Sequence, residues 1–355
     1  MVSLRDVSKK VGLSTATVSR ALNGFDDVHP KTRARVEEAA RELGYVANRA
    51  AKLLVSGKSN IICLIADLEL VRQTRDAGGP DFLELISRLS CELAERGFDL
   101  VFSVKSPNET AVAKYQDMIK RGIVDAFIVG APMQDDPRIT FLKEVDFPFV
   151  VHGLPPVGTD LPFVSVDNAQ IVRDPLLALL DLGHKHIAFV QGPPDTTHAV
   201  QRHDTYREVL NEVGLAADEH MIIMDGDNPS KLKAQLLGLF SGRLGPKPTA
   251  IMCGSVALAQ DCANILVELG LKVPDDVSLV ANDDGGNPVR LDPSIPELCR
   301  TYFDWSDTSG PLAEVAINVS QKGMKPGPDQ CRNLACEMIF GKSIGRPSPG
   351  LGGEA

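Results

Sequence analysis

From Asn60 onward the chain alternates short apolar runs with longer stretches of helical periodicity. The runs are apolar at consecutive positions, so they demand cover on both faces of a sheet, and the amphipathic stretches between them supply it. They fall at Ile61–Ile65, Leu100–Val104, Ala126–Val129 and Pro148–Val151, then at Val164–Val166, Ile187–Val190, Ile222–Met224, Ala250–Met252 and Val277–Val280. Helices are expected over Phe82–Glu95, Ala111–Arg121, Thr205–Val213, Leu232–Phe240 and Leu258–Leu269. Two such sets predict an α/β architecture of two doubly wound parallel-sheet lobes. A ligand is then expected at the carboxyl ends of the strands, in the crevice between the lobes.

The first sixty residues follow another rule. Leu4, Val7 and Val11 share one helical face, Ser3 and Asp6 form a carboxylate variant of the capping box, and Gly12 ends the helix. Ser14 is placed to cap a second helix, Thr15 to Leu22, that buries Val18, Ala21 and Leu22 before Asn23-Gly24. A third starts at Pro30 and runs through Val36, Ala39, Ala40 and Leu43 to Gly44. The tight Val11-Gly12-Leu13-Ser14 turn fits a helix-turn-helix, whose second helix enters the DNA major groove. A generic three-helix bundle is the plainer alternative.

Charge separates the two regions. The whole chain carries a formal charge of −10, yet residues 1–59 hold 11 Lys and Arg against 6 Asp and Glu, a balance of +5, and the rest holds 26 against 41. A small basic module on an acidic body suits a nucleic-acid-binding unit whose remainder is kept off the polyanion. With 43% hydrophobic residues, disorder is excluded. No apolar run reaches the ~18–20 residues of a membrane helix, and the amino terminus lacks a signal core, so a cytoplasmic location without a membrane partner is expected. The seven cysteines (Cys63, Cys91, Cys253, Cys262, Cys299, Cys331, Cys336) lie apart, without zinc spacing, and read as buried, inert thiols. No metal or cofactor is implied.

No GxGxxG follows the first strand, and HExxH does not occur. Gly341-Lys342-Ser343 resembles the end of a phosphate loop, but Cys336 stands where that motif needs glycine. His184 and His186 read as structural. An enzyme or a solute-binding protein of the same lobed fold remains the rival class, opposed by the missing catalytic constellation and the basic amino-terminal module.

The wording of the amino-terminal segment is specific. Leu-Arg-Asp-Val-Ser, Val-Gly-Leu-Ser, Thr-Val-Ser-Arg-Ala-Leu-Asn-Gly, Lys-Thr-Arg-Ala-Arg-Val and Leu-Gly-Tyr follow in order. This resembles the DNA-binding headpiece of the lactose/galactose repressor (LacI/GalR) family. The resemblance implies base reading by Thr15, Ala16 and Arg20, and backbone contacts from Ser14, Thr17, Ser19, Lys31, Thr32 and Arg33, with helix capping the alternative for Ser19 and Thr32. It also implies a hinge helix with Asn48 and Arg49 leading to Leu54, a wedge for the minor groove. Ala47 stands where the family usually has proline. Val166-Asp167-Asn168, Leu182-Gly183-His184-Lys185-His186-Ile187, Val273-Pro274-Asp275-Asp276-Val277-Ser278 and Asp283-Asp284 are phrases of that family's core, which resembles periplasmic sugar-binding proteins. Arg202, Ser255 and Asp283 then match effector contacts, joined by Phe82, His152 and Trp305.

Departures are Val256, Thr205 and Asn282, where the family has aspartate, glycine and an aromatic, and Pro175, which reads as a helix start. Gly323, Pro326, Gly327 and Pro328 read as breaks in the expected helix and strand. The expected organisation is a headpiece over 1–46, a hinge over 47–59, a two-lobed core over 60–345 and a tail over 346–355, Pro347 to Ala355 being disordered. The N-lobe is expected over 60–162 and 292–322, the C-lobe over 163–291 and 323–345. The resemblance implies double-stranded DNA with a pseudo-palindromic operator, a sugar-like effector, and self-association as a homodimer, with a tetramer left open. A purine, a phosphorylated metabolite or a protein co-regulator is the alternative effector.

Overall fold

The computed structural model describes residues 2–22, 25, 27–45, 57–67, 80–192, 194–283, 293, 295–322 and 330–349, with backbone alone at 80–82, 305 and 306. The chain divides into two compact units, residues 1–60 with 123–125, and residues 61–122 with 126–355.

The smaller unit contains α1 (Leu4–Val11), α2 (Thr15–Leu22) and α3 (Pro30–Leu43). Its core is Val7, Val18, Ala21, Val28, Val36, Ala39 and Ala40, with Leu4, Val11, Leu13, Leu22, Leu43 and Tyr45 packed around it. The Asp6 carboxylate accepts from both the backbone N and the Oγ of Ser3, at 2.9 and 2.7 Å. Gly12 takes the left-handed conformation (φ 66°) that closes α1, and Ser14 Oγ accepts from Thr17 N at 3.1 Å to open α2. Arg35 Nη2 donates to Val11 O at 2.6 Å, tying α3 to the turn. Asp125 accepts from Ser59 N, Ser59 Oγ and Asn60 N.

The larger unit holds β1 (Ile61–Asp67), α4 (Pro80–Glu95), β2 (Asp99–Lys105), α5 (Ala111–Arg121), β3 (Ala126–Gly130), α6 (Pro137–Glu144), β4 (Phe149–His152) and β5 (Phe163–Val166). Then come α7 (Asn168–Asp181), β6 (Ile187–Val190), α8 (Thr197–Glu212), β7 (Ile222–Ile223), α9 (Pro229–Phe240), β8 (Ala250–Cys253), α10 (Val256–Glu268) and β9 (Ser278–Asp283). It ends with β10 (Cys299–Tyr302), α11 (Trp305–Lys322), β11 (Cys331–Leu334) and β12 (Glu337–Ile339). One sheet runs β11-β5-β4-β3-β1-β2 and the other β12-β10-β9-β8-β6-β7. All pairings are parallel except β10 with β12. Both sheets reverse direction beside their first strand, the arrangement that opens a crevice at the strand ends.

Sheet membership corrects the expected lobe boundaries. β5 and β11, both assigned to the C-lobe, pair with each other in the first sheet, where β5 also pairs with β4, and β10, assigned to the N-lobe, pairs with β9 and β12 in the second. The chain therefore passes between lobes three times, after β5, after β10 and after β11. α11 buries Leu312, Ala313, Val315, Ala316 and Val319 against Ile62, Leu89, Ile128 and Val150 of the first lobe.

Other expectations shift as well. Pro175 does not start a helix: Asp167 caps α7 by accepting from Gln170 N at 2.9 Å, and the helix runs through the buried proline. A face formed by Ile171, Val172, Pro175, Leu176 and Leu179 offsets the lost hydrogen bond. α8 begins at Thr197, two turns before Thr205. The carboxyl-terminal part keeps its helix and strands, α11 spanning Pro311 and β11 and β12 each joining a sheet, while Gly323, Pro326, Gly327 and Pro328 lie outside the described residues. Pro347 is half-buried beside Gly183, whose Cβ position lies 3.9 Å from the proline ring; residues 350–355 are not described. Cys91 is exposed and Cys331 half-buried, the other five cysteines being buried as expected.

Gly341-Lys342-Ser343 is a structural staple. Ser343 Oγ, fully buried, donates to Leu279 O at 2.5 Å and accepts from Cys299 N at 2.8 Å, while Lys342 N donates to Glu297 O at 2.6 Å. A Cβ on Gly341 would lie 2.6 Å from the Leu298 carbonyl carbon. Gly341→Ala is therefore expected to destabilise the protein by about 1–3 kcal/mol, the range for overpacking a close-packed site. Urea denaturation measures this, and an unchanged midpoint would contradict it.

Candidate nucleic-acid interface and ligand crevice

α2 is two-faced. Val18 and Ala21 are buried in the three-helix core, whereas Ser14, Thr15, Ala16 and Arg20 are exposed and Thr17 and Ser19 half-buried. Short side chains at Thr15 and Ala16 let a helix backbone approach a groove closely, and Arg20 adds a fork of hydrogen-bond donors. The Nε of Arg20 donates to Asp27 Oδ1 at 3.3 Å, its Nη2 pairs with Asp27 Oδ2, and its Cζ sits 5.5 Å from the centre of the Phe25 ring. Neither Phe25 nor Asp27 was singled out from sequence, because their role appears only when the loop folds back on α2.

At the start of α3, Lys31 is exposed and Thr32 and Arg33 are half-buried. His29 caps this helix, its ring nitrogen accepting from Lys31 N at 3.3 Å. Arg33 Nη2 donates to Phe25 O at 2.8 Å, so this residue holds the α2–α3 loop in the structure. Asn48, Arg49 and Leu54 lie outside the described residues.

In the larger unit the expected effector residues all come to the carboxyl ends of strands. His152 is the last residue of β4, Asp283 the last of β9, and Ser255 follows β8 and caps α10 by accepting from Leu258 N at 3.2 Å. Arg202 lies in the second turn of α8, the helix after β6. Phe82 and Trp305 lie in the first turns of α4 and α11, after β1 and β10; their side chains are not described.

Arg202 is buried. Its Nε donates to Asn168 Oδ1 at 2.8 Å and its Nη1 to Gly254 O at 3.2 Å. Asn168 Nδ2 in turn donates to Val166 O at 3.1 Å, which fixes the amide with its oxygen toward the arginine. A Cβ at Gly254 would lie 2.8 Å from Cδ of the buried Gln191, so a larger residue here has to displace that side chain. The guanidinium thus joins the β5–α7 crossover to the β8–α10 turn. One turn earlier, Thr197 donates from N to Pro132 O at 2.9 Å and from Oγ1 to Leu154 O at 2.7 Å, and Thr196 bridges Met133. α8 therefore touches the first lobe at its tip and carries Arg202 just behind.

Asp283, expected as the acceptor opposite Arg202, receives Arg300 Nε at 2.9 Å. Arg300 was missed because the two meet through the parallel register of β9 with β10, invisible to local spacing. His198 was missed as well, although its four-residue offset from Arg202 on one helix offered a signal. It contacts Thr196 Oγ1 at 3.3 Å. Among the described residues no group of three or more His, Cys, Asp or Glu could hold a metal ion, and no helix is long and apolar enough to cross a membrane.

Burial pushes the His152 ring down to about 4 and the His198 ring down to about 3, with the Arg202 charge adding to the latter. His184 is lowered by burial too, held by Thr249, Ser278 and Gly345. Unfolded histidine titrates near ~6.5, so on acidification the unfolded chain takes protons that the folded rings refuse. Stability is complete above that value and is lost as pH falls toward the folded values. The melting temperature is expected to fall from pH 7 to pH 5, above the range where most carboxylates protonate, and His198→Gln is expected to flatten that slope. An identical slope in the variant would contradict the assignment.

Residues 3–48 match the bacterial regulatory proteins of the lacI family, and residues 176–344 match the periplasmic binding protein-like domain. The HTH-type transcriptional regulator AglR of Rhizobium meliloti (strain 1021) is 37% identical over 292 residues, covering 80% of this chain and 78% of that protein. A structure of the regulator CelR in complex with cellobiose covers 97% of this chain and all of its own, at 24% identity and a TM-score of 0.67. The lac repressor dimer bound to operator and the anti-inducer ONPF covers 96% of this chain and 98% of its own, at 22% identity and a TM-score of 0.73. The match of residues 3–48, together with the 37% identity to AglR over 80% of the chain, makes this chain a member of the LacI family of bacterial regulatory proteins.

Proposed function

We propose that this protein is a cytoplasmic, homodimeric transcriptional repressor that binds a specific operator through α2 and releases or grips it according to a small sugar-like ligand. The carrying observation is α2 itself, apolar on the side packed in its own core and lined by Thr15, Ala16 and Arg20 on the exposed side. Arg20 is the base reader, a guanidinium suited to guanine O6 and N7. Ala16 and Thr15 meet base edges. Ser14, Thr17, Ser19, Lys31, Thr32 and Arg33 set register on the phosphates, and Asn48, Arg49 and Leu54 engage the minor groove. A two-fold dimer requires a pseudo-palindromic site.

The ligand site on this reading is the crevice around His152, Arg202, Ser255 and Asp283, with Phe82 and Trp305 at its rim. A fork of donors beside carboxylate and hydroxyl acceptors suits the adjacent hydroxyls of a sugar. The cellobiose held by CelR supports a carbohydrate, and carbohydrate-utilisation genes are then the regulated set. A ligand favouring one arrangement of the lobes shifts the operator equilibrium by its differential affinity, and a coupling of about 1–3 kcal/mol changes operator affinity roughly 5–150-fold.

The test is an electrophoretic shift of the purified chain on its own upstream region and on a scrambled duplex, with and without mono- and disaccharides. Arg20→Ala is expected to lose discrimination between the two while keeping weak, salt-sensitive binding to both. Equal losses on both duplexes would contradict the reading, as would the absence of any duplex binding in dilute buffer. A thermal shift with a saccharide, and none with purines or phosphorylated metabolites, is the expected effector result; the reverse would overturn the carbohydrate assignment.

A further inference from the structure

We propose that Asp27 is a positioning residue for base recognition: it buttresses Arg20 so that the arginine presents a fixed fork to one base pair. The proposal rests on the reading of Arg20 as the base contact and adds what orients it. Asp27 sits on the loop between α2 and α3, and that loop is anchored on three sides. Phe25 N donates to Arg20 O at 3.1 Å, Arg33 Nη2 holds Phe25 O at 2.8 Å, and Val28 is buried in the three-helix core.

On this mount the Asp27 carboxylate takes the Nε and Nη2 side of the guanidinium, and the Phe25 ring, 40% exposed, lies against it. Among the described residues no hydrogen bond is made by Nη1, so the outer end of the fork is what remains for a ligand. An unrestrained arginine loses much rotamer freedom on binding, and a pre-oriented one loses less per hydrogen bond formed.

Stability is a poor explanation for the pair. The two side chains are 54% and 51% exposed, and exposed ion pairs contribute little to folding. The placement is costly for general DNA affinity, since a carboxylate beside the contact surface repels phosphates. Asp27 therefore trades non-specific affinity for discrimination, moving the two in opposite directions, as a merely structural residue would not.

The experiment is selection of bound sequences from a randomised duplex pool by the full-length protein and by its Arg20→Ala, Asp27→Ala and Asp27→Asn variants, with retention of the unselected pool measured over a salt series. The wild type is expected to select guanine at one symmetric pair of positions, and Arg20→Ala to erase that preference. Asp27→Ala is expected to lower the same preference several-fold, raise retention of the unselected pool and steepen its salt dependence, with an unchanged melting temperature. Asp27→Asn, which keeps an acceptor without the charge, is expected to retain more of the guanine preference than Asp27→Ala. Full guanine preference in Asp27→Ala, with its loss in Arg20→Ala, would overturn the buttress and leave the base reader standing. Preference that survives Arg20→Ala would overturn the base reader and the buttress together. A parallel fall in selected and unselected binding by both Asp27 variants would show a structural role and overturn the proposal.

Discussion

Parallel pairing is the constraint on which the larger unit depends. A parallel neighbour must be reached by a crossover, so each strand delivers its chain to the same sheet edge and each return helix starts there. Topology alone brings His152, at the end of β4, to the carboxyl edge of the first sheet, and Ser255 and Asp283, at or just after the ends of β8 and β9, to the carboxyl edge of the second. Two sheets of the same winding double that edge. The chain crosses between the lobes after β5, β10 and β11, and the strands next to those crossings pair within their own sheets, β5 with β11 in the first and β10 with β12 in the second.

The smaller unit depends on different physics. Three short helices cannot bury enough apolar surface to be stable without economy, and its seven buried side chains are supplemented by caps at Ser3, Ser14 and His29 and by arginines bonded to carbonyls. Arg35 closes the turn at Val11 and Arg33 closes the loop at Phe25. Cations in this unit therefore serve the fold as well as any polyanion, and a positive balance by itself does not count phosphate contacts.

Legibility followed the range of the interaction. The three amino-terminal helices could be read to within a residue because caps and apolar spacing are local, and β1 to β9 were visible as contiguous apolar runs, whereas β10, β11 and β12, with polar residues such as Arg300, Arg332 and Glu337, were not. α6, only eight residues long, has too little amphipathic contrast to show. Pro175 misled because its cost is local, while the burial of the α7 face that offsets it is not. The lobe of β5 and of β10 depends on which distant strand supplies the next hydrogen-bonded edge, and no periodicity encodes that. At the crevice, residue types and strand ends were readable, but partners were not. Asn168 on Arg202 and Arg300 on Asp283 come together through crossovers and register.

The Arg202 network shows how such partners bear on function. A buried guanidinium is tolerable only with its donors engaged, and here Asn168 Oδ1 and Gly254 O engage two of them. On the proposed reading, a ligand that takes hydrogen bonds from Arg202 competes with these acceptors or completes the fork beside them, and α8 is the rigid element that feels the difference. The same helix is bonded at its tip to Pro132 and Leu154, at the ends of β3 and β4. A change at Arg202 and a change in lobe spacing are thus linked through less than two turns of one helix. Linkage of this kind is reciprocal: whatever lobe arrangement the operator complex favours must alter ligand affinity by the same factor with which the ligand alters operator affinity.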